Sequence, residues 1–305
     1  MVIPSCSTGV HVVIPSYQGG NELLEALQSI RASGLAPAAV TVVDNASTDG
    51  TVAAVRQQFP EVNLLLNSRN LGFGAACNRG LQLALEQGHE LVLLLNQDAR
   101  LDRDTLASMV DLASHCPRAG VVGCRTLSTS THSDGSAILL YNGAWRFGLP
   151  TLQKIPGIGG SSAHSAGPPC EVDMVWGHAM VLRCQALREV GLFDLGFFMY
   201  YEDIDLCARL QQAGWQLWCD SRVHVWHAMQ DGARARNSQL WRWRMKATSS
   251  RYFYRKRYPW LRADCLWLLS VWVEIYWLLK AGHRQALVHL AQATWEELRP
   301  AASLP

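Results

Sequence analysis

Short apolar runs alternate with segments of helical periodicity as far as residue 124. The run 10–15 is followed by 21–33, where leucines and an isoleucine recur at the spacing of one helix face. Further pairs of a predicted strand and a predicted helix follow: 39–43 with 51–59, 62–66 with 73–86, 91–95 with 104–115, and a last apolar run at 120–124. Continuously apolar strands that alternate with helices are typical of an open, mostly parallel sheet covered on both faces. The pattern therefore predicts an α/β, Rossmann-like fold.

The second half of the chain departs from this rhythm. Residues 125–169 are rich in Ser, Thr, Gly and Pro, with a strand-like island at 138–147, so loops and a hairpin are predicted there. Regular patterning returns in four stretches: 172–182, an acidic helix near 199–214, and apolar runs at 215–218 and 223–226.

Polar residues follow each predicted strand, at the end where parallel strands meet one edge of the sheet. Ligands bind at the carboxyl ends of the strands in open α/β sheets. These polar ends contain Pro15, Ser16, Tyr17, Asp44, Asn45, Asn67, Arg69, Asn96, Gln97 and Asp98. Their alignment predicts a binding site along this edge.

Composition and charge exclude several classes of protein. With 305 residues, of which 49% are hydrophobic and 17% charged, the chain can bury a substantial core. The net charge of +2 does not by itself favour nucleic acid as a partner. Nine cysteines without a Cys-x-x-Cys pair predict reduced thiols rather than a zinc ribbon or a disulfide framework. The N-terminus lacks a signal-peptide pattern, so we expect a cytoplasmic catalytic part.

Three acids, Glu202, Asp203 and Asp205, stand at the start of the predicted acidic helix, and Gly214 stands at its end. The helix dipole favours acids at this position, and a carboxylate at the edge of a core is suitably placed for a general base. Asp205 can pair with Arg209 one turn later and is interpreted as structural. Simple helix N-terminal charge is the alternative interpretation of the other two acids.

Asp98 follows the apolar strand 91–95, so its carboxylate either holds a divalent cation at the sheet edge or caps the next turn. Asp44 ends its strand in the same way and is suited to accept a hydrogen bond from a nucleotide base or ribose. His224 and His227 point to opposite faces of a predicted strand and cannot easily share one metal. Because His227 ends that strand, it can still reach the edge that carries Asp98.

The segment 70–80 opens a helix with Gly72 and Gly74, which allow a phosphate to approach backbone amides. Cys77 occupies the third glycine position of a dinucleotide fingerprint, which argues against a nicotinamide-dependent oxidoreductase. The chain also lacks a Gly-x-x-x-x-Gly-Lys-Ser/Thr loop and a Gly-x-Ser-x-Gly elbow. P-loop ATPases and esterases are therefore disfavoured.

Seven motifs follow one another between about residues 10 and 232. They read Val-Ile-Pro-Ser-Tyr at 13–17, Val-Val-Asp-Asn-Ala-Ser-Thr-Asp-Gly at 42–50, Asn-Leu-Gly-Phe-Gly-Ala-Ala-Cys-Asn at 70–78, Leu-Leu-Asn-Gln-Asp at 94–98, Gly-Leu-Phe-Asp at 191–194, Phe-Phe-Met-Tyr-Tyr-Glu-Asp-Ile-Asp-Leu at 197–206 and Val-Trp-His at 225–227. In this order they resemble the inverting nucleotide-sugar glycosyltransferases of family 2, which have the GT-A fold, and among them the bacterial rhamnosyltransferase-like group.

The resemblance implies a role for each matched residue. Binding of the nucleotide-sugar donor would fall to Pro15, Ser16, Tyr17, Asp44, Asn45, Arg69, Gly72, Asn78, Asn96, Gln97 and Asp98, with Asp44 reading the pyrimidine base. Asp98 and His227 would bind Mg²⁺ or Mn²⁺, although Asn96 replaces the first acid of the usual Asp-x-Asp motif. Trp176, Gly177 and His178 would lie beside the donor sugar or the acceptor.

The resemblance also implies a mechanism. Asp203 would deprotonate the acceptor hydroxyl, with Glu202 beside it, while the metal neutralises the diphosphate leaving group. The expected reaction is inverting transfer from dTDP-rhamnose, or alternatively a UDP-sugar, to a hydroxyl of a glycan or lipid-linked acceptor, in synthesis of a cell-surface polysaccharide or glycolipid. A non-catalytic nucleotide-sugar-binding paralogue that acts in assembly is the second hypothesis, and Asn96 alone favours it.

The predicted catalytic domain spans 1–232, with a nucleotide-binding half at about 10–124, a loop-rich insert at about 125–170 and an acceptor half at about 171–232. A helical region, 233–305, follows; its part 241–279 is basic and aromatic at first, then apolar, and too interrupted by charge to span a bilayer. We expect peripheral contact with the inner face of the plasma membrane. Packing against the catalytic domain and homo-oligomer formation are the alternatives, and nucleic acid is not expected as a partner.

Overall fold

The computed structural model describes residues 10–33, 40–131, 137–141, 144–146, 149–151, 167–228, 233–280, 282 and 284–298. Parts of the predicted insert, the predicted domain boundary at 232 and both chain ends lie outside these residues. The strands are β1 Val10–Ser16, β2 Val40–Asp44, β3 Asn63–Leu66, β4 Leu91–Leu95, β5 Ala99–Leu101, β6 Ala119–Thr131, β7 Ala137–Tyr141, β8 Ala144–Arg146, β9 Leu149–Thr151, β10 Cys170–Glu171, β11 Ala179–Arg183 and β12 Gln216–His227. The helices are α1 Gly20–Ala32, α2 Thr51–Gln58, α3 Phe73–Glu86, α4 Thr105–His115, α5 Cys184–Val190, α6 Glu202–Gln212, α7 Ala233–Arg257, α8 Trp260–Lys280 and α9 Arg284–Leu298.

One ten-stranded sheet organises the chain, in the order β10-β12-β6-β11-β4-β1-β2-β3 with β5 and β7 paired at its side. The four strands of the predicted nucleotide-binding half, β4-β1-β2-β3, pair in parallel as predicted. β11 lies antiparallel between β4 and β6. It joins these strands to the part of the chain at about 171–232 that carries Glu202, Asp203 and Asp205, here called the acid-bearing half. The carboxyl ends of β1, β2 and β4 therefore meet the loop before β11 at one edge.

The buried strands explain the continuous apolar runs of the sequence. All seven residues of β1 and all five of β4 are buried, because helices cover both faces of the sheet. On one face α3 packs so closely that a Cβ at Gly80 would stand 2.4 Å from a methyl of Val13. Only glycine fits this helix-to-strand contact.

The second half is more continuous than its sequence pattern indicates. β6 runs from Ala119 to Thr131, well past the predicted end at 124, and pairs antiparallel with β7, so a hairpin does form in the insert. The two predicted strands at 215–218 and 223–226 are one strand, β12, which is irregular between Asp220 and His224. Because β12 pairs with β6 on both sides of the irregularity, the polar interruption does not end the strand.

The C-terminal helices share a core with the acid-bearing half. Phe253, Tyr254 and Trp267 belong to the same buried cluster as Phe197 and Leu210. Packing against the catalytic part, one of the two alternatives for this region, therefore occurs. Within the described ranges, no helix combines the length and the apolar character needed to cross a membrane.

Candidate active site

The acid pair sits at the first turn of α6 and is buried. Tyr200 and Tyr201 precede it, each with φ 69°, a left-handed conformation that turns the chain abruptly into the helix. Oδ2 of Asp203 accepts a hydrogen bond from the backbone N–H of Gly177 at 2.9 Å, and its Oδ1 accepts one from the N–H of Ile204 at 2.8 Å. The carboxylate is thus oriented by two backbone donors.

Burial changes the protonation of this pair. Desolvation raises the pKa of Asp203, although its hydrogen bonds from Gly177 and Ile204 oppose the rise. Desolvation and the charge of Asp203 raise the pKa of Glu202 well above its usual range. Oε2 of Glu202 has no hydrogen-bond partner among the described residues. The backbone hydrogen bonds favour the ionised form of Asp203, whereas burial and the charge of Asp203 favour the protonated form of Glu202.

Asp205 is a structural residue, as its spacing predicts, but its contacts extend beyond Arg209. Its fully buried carboxylate lies 2.8 Å from Nε of Arg209, 2.8 Å from Nη1 of Arg257 and 3.0 Å from Nζ of Lys256. Burial raises the pKa of Asp205, but the hydrogen bonds from the three cations outweigh burial and lower it. The two cations of α7 were missed by the sequence interpretation, which assigned this basic run to a membrane surface.

The two carboxylate oxygens of Asp44 differ in their contacts. Its Oδ2 accepts a hydrogen bond from the N–H of Ser47 at 2.8 Å, a local contact that the sequence interpretation did not predict. Its Oδ1 is buried and has no hydrogen-bond partner within the described part of the chain. Nearby, Gln97 exchanges two hydrogen bonds with the backbone of Tyr17, at 2.8 and 3.2 Å, and leaves the Tyr17 side chain 46% exposed. An aromatic face thus lies at this edge beside an acceptor oxygen.

Other predicted donor residues hold the loops of this edge. Asn45 donates to the carbonyl of Gly72 at 3.0 Å and accepts from Nδ2 of Asn67 at 2.7 Å. Asn78 donates to the carbonyl of Phe193 at 2.8 Å and accepts from its N–H at 2.9 Å, so it ties α3 to the loop before α6. Arg69 is exposed in the loop after β3. The side-chain amides of Asn45 and Asn78 therefore hold the backbone of neighbouring loops by hydrogen bonds.

Gly72 adopts φ 90°, a conformation that favours glycine, at the entry to α3. A Cβ there would stand 2.4 Å from the carbonyl oxygen of Phe198. That carbonyl accepts a hydrogen bond from the N–H of Phe73 at 2.9 Å. The glycine loop of the nucleotide-binding half thus lies directly against the loop that leads to the acid pair.

Asp98 and His227 meet at the same edge. Nε2 of His227 lies 3.1 Å from Oδ1 of Asp98, and neither ring nitrogen has a hydrogen bond within the described residues. The Oδ1 of Asn96 is also buried without a hydrogen-bond partner there. Two ligands about 2.1 Å from Mg²⁺ and at right angles stand about 3.0 Å apart, so the pair fits a divalent cation. No cluster of three His, Cys, Asp or Glu occurs in the described ranges.

The other histidine of β12 takes no part in this pair. His224 lies 2.7 Å from Oδ2 of Asp102, so the two histidines of the strand face different acids, as their spacing predicts.

The segment 176–178 lies between the acid pair, Glu202 and Asp203, and the Asp98–His227 pair. Gly177 bonds to Asp203, and the ring of His178 stacks on that of His227 with 4.8 Å between centroids. His178 also lies 2.6 Å from Oγ1 of Thr126, a residue that the sequence interpretation missed. Burial and the neighbouring His227 lower the pKa of His178 to about 3, so its ring is neutral.

A family profile matches more than half of the chain. Residues 11–191 match the profile described as glycosyl transferase family 2. The chain belongs to this family. The family match contains the carboxyl ends of β1, β2 and β4 and Gly177, while the acid pair and His227 lie beyond it.

Curated relatives include rhamnosyltransferases. The N-acetylglucosaminyl-diphospho-decaprenol L-rhamnosyltransferase of Mycobacterium tuberculosis is 31% identical over 232 residues, which cover 67% of this chain and 71% of the relative. Rhamnosyltransferase WbbL of Escherichia coli is 42% identical over 86 residues, which cover 28% of this chain and 32% of the relative.

Solved structures of glycosyltransferases share the fold. The mannosyltransferase PcManGT from Pyrobaculum calidifontis, in complex with GDP-Man and Mn²⁺, superposes with a TM-score of 0.57 at 21% identity, over 99% of this chain and 78% of that one. GalNAc-T7, with UDP, GalNAc and Mn²⁺, has a TM-score of 0.57 at 14% identity, over 84% of this chain and 52% of that one. The GT-A fold expected from the motifs is thereby confirmed.

Proposed function

We propose that this family 2 glycosyltransferase transfers rhamnose from dTDP-rhamnose, with inversion, to a hydroxyl of a lipid-linked or glycan acceptor in cell-surface polysaccharide or glycolipid synthesis. A UDP-sugar is the alternative donor. One observation carries the proposal. The Asp203 carboxylate is fixed by the N–H of Gly177, and the next residue, His178, stacks on His227 of the Asp98–His227 pair. Gly177 and His178 thus link the proposed base to the proposed metal site, where the diphosphate of the donor would bind.

Asp203 is the proposed general base. Its ionised oxygens take the proton of the acceptor hydroxyl while that oxygen attacks the anomeric carbon from the side opposite the diphosphate. A single displacement inverts the configuration at that carbon. Burial favours this role, because a desolvated carboxylate with a raised pKa is a stronger proton acceptor than an exposed one. The raised pKa of Glu202 favours its protonated form, which would add no second negative charge beside the base.

The donor would lie along the carboxyl edge of the sheet. The free Oδ1 of Asp44 is suited to accept the imide N–H of thymine or uracil, and the exposed ring of Tyr17 offers a stacking face. Gly72 and the exposed Arg69 would approach the phosphates. Mg²⁺ or Mn²⁺ held by Asp98, His227 and the Asn96 amide would neutralise the charge on the leaving diphosphate.

The relatives support the choice of sugar and acceptor. Two of them carry rhamnosyltransferase in their names, and the name of the Mycobacterium tuberculosis protein places its acceptor on a decaprenyl diphosphate. We extend both properties to this chain. An acceptor on such a lipid would bring the enzyme to the inner face of the plasma membrane.

The outer face of α8 is the proposed membrane contact. Two acids of α8 face α7: Asp264 pairs with Arg251 and Arg255, and Glu274 lies 3.8 Å from Lys246. The exposed side chains described on α8 are Trp260, Leu261, Arg262, Cys265, Leu268, Leu269, Trp272, Tyr276 and Leu279, of which only Arg262 is charged. Aromatic and apolar side chains of this kind settle at the headgroup level of a bilayer.

A second candidate remains, the non-catalytic nucleotide-sugar-binding paralogue. Asn96, where an acid is usual, favours it, because an amide oxygen binds a cation more weakly than a carboxylate. A panel of dTDP-, UDP- and GDP-sugars, incubated with N-acetylglucosaminyl-diphospho-prenol and Mn²⁺, distinguishes the two. Transfer of rhamnose from dTDP-rhamnose with inverted configuration in the product supports the enzyme. Donor binding without turnover of any sugar would refute it in favour of the paralogue.

A further inference from the structure

One lysine of α7 holds both ends of the loop that leads to the acid pair. Nζ of Lys256 lies 2.5 Å from Oδ2 of Asp194 and 3.0 Å from Oδ1 of Asp205. The neighbouring Arg257 adds a contact of 2.8 Å from its Nη1 to the same oxygen of Asp205. The segment between these two acids contains the two left-handed tyrosines, Glu202 and Asp203. We call residues 194–205 the acid loop.

The same face of α7 also contacts the middle of the acid loop. Oγ of Ser249 donates a hydrogen bond of 2.7 Å to the carbonyl of Met199. The ring of Tyr252 packs edge-on against Phe197, with 4.8 Å between centroids, and lies so close to Gly196 that a Cβ there would stand 2.4 Å from it. Ser249, Tyr252 and Lys256 recur at helical spacing, so one side of α7 covers the loop from end to end.

The acid loop in turn contacts two segments of the proposed site. Its Phe198 carbonyl bonds to the N–H of Phe73, next to Gly72 at the donor edge. Its Asp203 bonds to Gly177. A shift of this loop would therefore move the proposed base and the glycine support of the donor relative to each other.

The backbone of the acid loop needs outside support. Tyr200 and Tyr201 both have φ 69°, and non-glycine residues keep that conformation only when surrounding contacts hold them. The contacts of α7 lie on either side of these residues, at Met199 and at Asp205. The helix is therefore placed to hold the strained turn that aims Asp203.

We propose that Lys256 and Arg257 are positioning residues for sugar transfer, through which α7 fixes the acid loop so that Asp203 is aligned with the donor. The inference rests on the proposed role of Asp203 as base. It makes the first helix of the C-terminal region a part of the catalytic unit.

A matched cation on the same helix supplies the control. Arg255 is adjacent to Lys256 but binds Asp264 of α8, through Nε at 3.0 Å and Nη2 at 2.9 Å, and does not contact the acid loop. Lys256→Gln and Arg257→Gln should lower kcat for transfer from dTDP-rhamnose by about tenfold to hundredfold, the scale of a small misplacement of a reacting group. The Kd for dTDP should stay within about twofold of wild type, and Arg255→Gln should leave kcat within about twofold. Lys256→Arg should recover most of the activity, because it can still bridge both acids.

Hydrogen exchange of the peptide 194–206 gives a readout that does not depend on activity. Exchange should accelerate in Lys256→Gln and Arg257→Gln, while Arg255→Gln should match wild type. Unchanged kcat and exchange in folded Lys256→Gln and Arg257→Gln would overturn the inference, as would equal losses in all three variants. Accelerated exchange with unchanged kcat would show that α7 holds the loop but that the position of the loop does not matter for transfer, and this too would overturn the inference. The proposed role of Asp203 is tested separately, because it fails only if Asp203→Asn stays active.

Discussion

The N–H of Gly177 donates a hydrogen bond of 2.9 Å to Oδ2 of Asp203, across 26 positions of the sequence. This bond joins the loop before β11 to the first turn of α6. Because His178 follows directly and stacks on His227, a displacement of this loop reaches both the proposed base and the proposed metal ligand. One loop thus contacts the proposed base through a backbone N–H and the proposed metal ligand through a side-chain ring.

Gly72→Ala should weaken both the fold and the donor site. Its Cβ would meet the Phe198 carbonyl at 2.4 Å, and alanine at φ 90° and ψ 171°, a backbone region that glycine alone populates readily, adds a cost of about 1–3 kcal/mol. We expect a lower Tm and a higher KM for the donor. Gly88→Ala is the control, since Gly88 has φ 78° and no atom within 4 Å of its Cβ position. Equal effects of the two substitutions would show that the contact with Phe198 does not matter.

Glu202→Gln should stabilise the protein at neutral and alkaline pH. Burial and the charge of Asp203 raise the pKa of Glu202 in the folded state, so the native protein binds more protons than the unfolded chain. Stability is then lost as the pH rises from the ordinary range of glutamate, about 4.3, through the raised folded pKa. Glutamine does not titrate. Urea unfolding at several pH values should give a free-energy difference from wild type that grows with pH and vanishes in acid; a constant difference contradicts it.

His227→Gln should weaken Mn²⁺ binding by at least about tenfold. The ring of His227 lies 3.1 Å from Asp98, whereas His224 faces Asp102, so His224→Gln is the matched control and should bind Mn²⁺ like wild type. Asn96→Asp should increase the affinity, because a carboxylate replaces an amide oxygen. Titration by electron paramagnetic resonance measures all three without a turnover assay. Normal Mn²⁺ affinity in His227→Gln would remove that residue from the site.

Leu269→Glu with Trp272→Glu should abolish flotation with vesicles rich in phosphatidylglycerol. Both side chains are exposed on the outer face of α8, at 46% and 66%. The control is Leu66→Glu, which changes an exposed leucine on β3. This variant should float like wild type. Truncation before α7 is a poor test, because α7 and α8 contribute Phe253 and Trp267 to the main core. If the double variant still floats, the membrane contact lies elsewhere; a wild type that does not float would show that there is none.

Local sequence patterns predicted the parts of this molecule that depend on neighbouring residues. The alternation of strands and helices, the acids at the start of α6 and the Asp205–Arg209 pair all follow from spacings of a few positions. Contacts between distant residues did not follow. Arg257 binds Asp205 across 52 positions, and Asn78 binds Phe193 across 115, so no local period signals either contact.

The same limitation explains the interpretation of the basic run in α7. Basic and aromatic residues on one helix can bind an anionic membrane surface or acidic side chains of the same protein equally well. Lys256 and Arg257 face Asp194 and Asp205, and Arg251 and Arg255 face Asp264. Which partner a cation takes is decided by tertiary packing. The division of the chain at about 232 remains a prediction.

The central claim, that Asp203 is the base of an inverting transfer, is tested most directly by Asp203→Asn. Asparagine keeps the size of the side chain and can still accept from Gly177, but it cannot take a proton. Rhamnose transfer from dTDP-rhamnose to N-acetylglucosaminyl-diphospho-prenol should fall by about 10²–10⁴-fold, while the Kd for dTDP by calorimetry stays at the wild-type value. Asp104→Asn, at an exposed aspartate before α4, should keep full activity. Retention of most of the activity by Asp203→Asn would contradict the account.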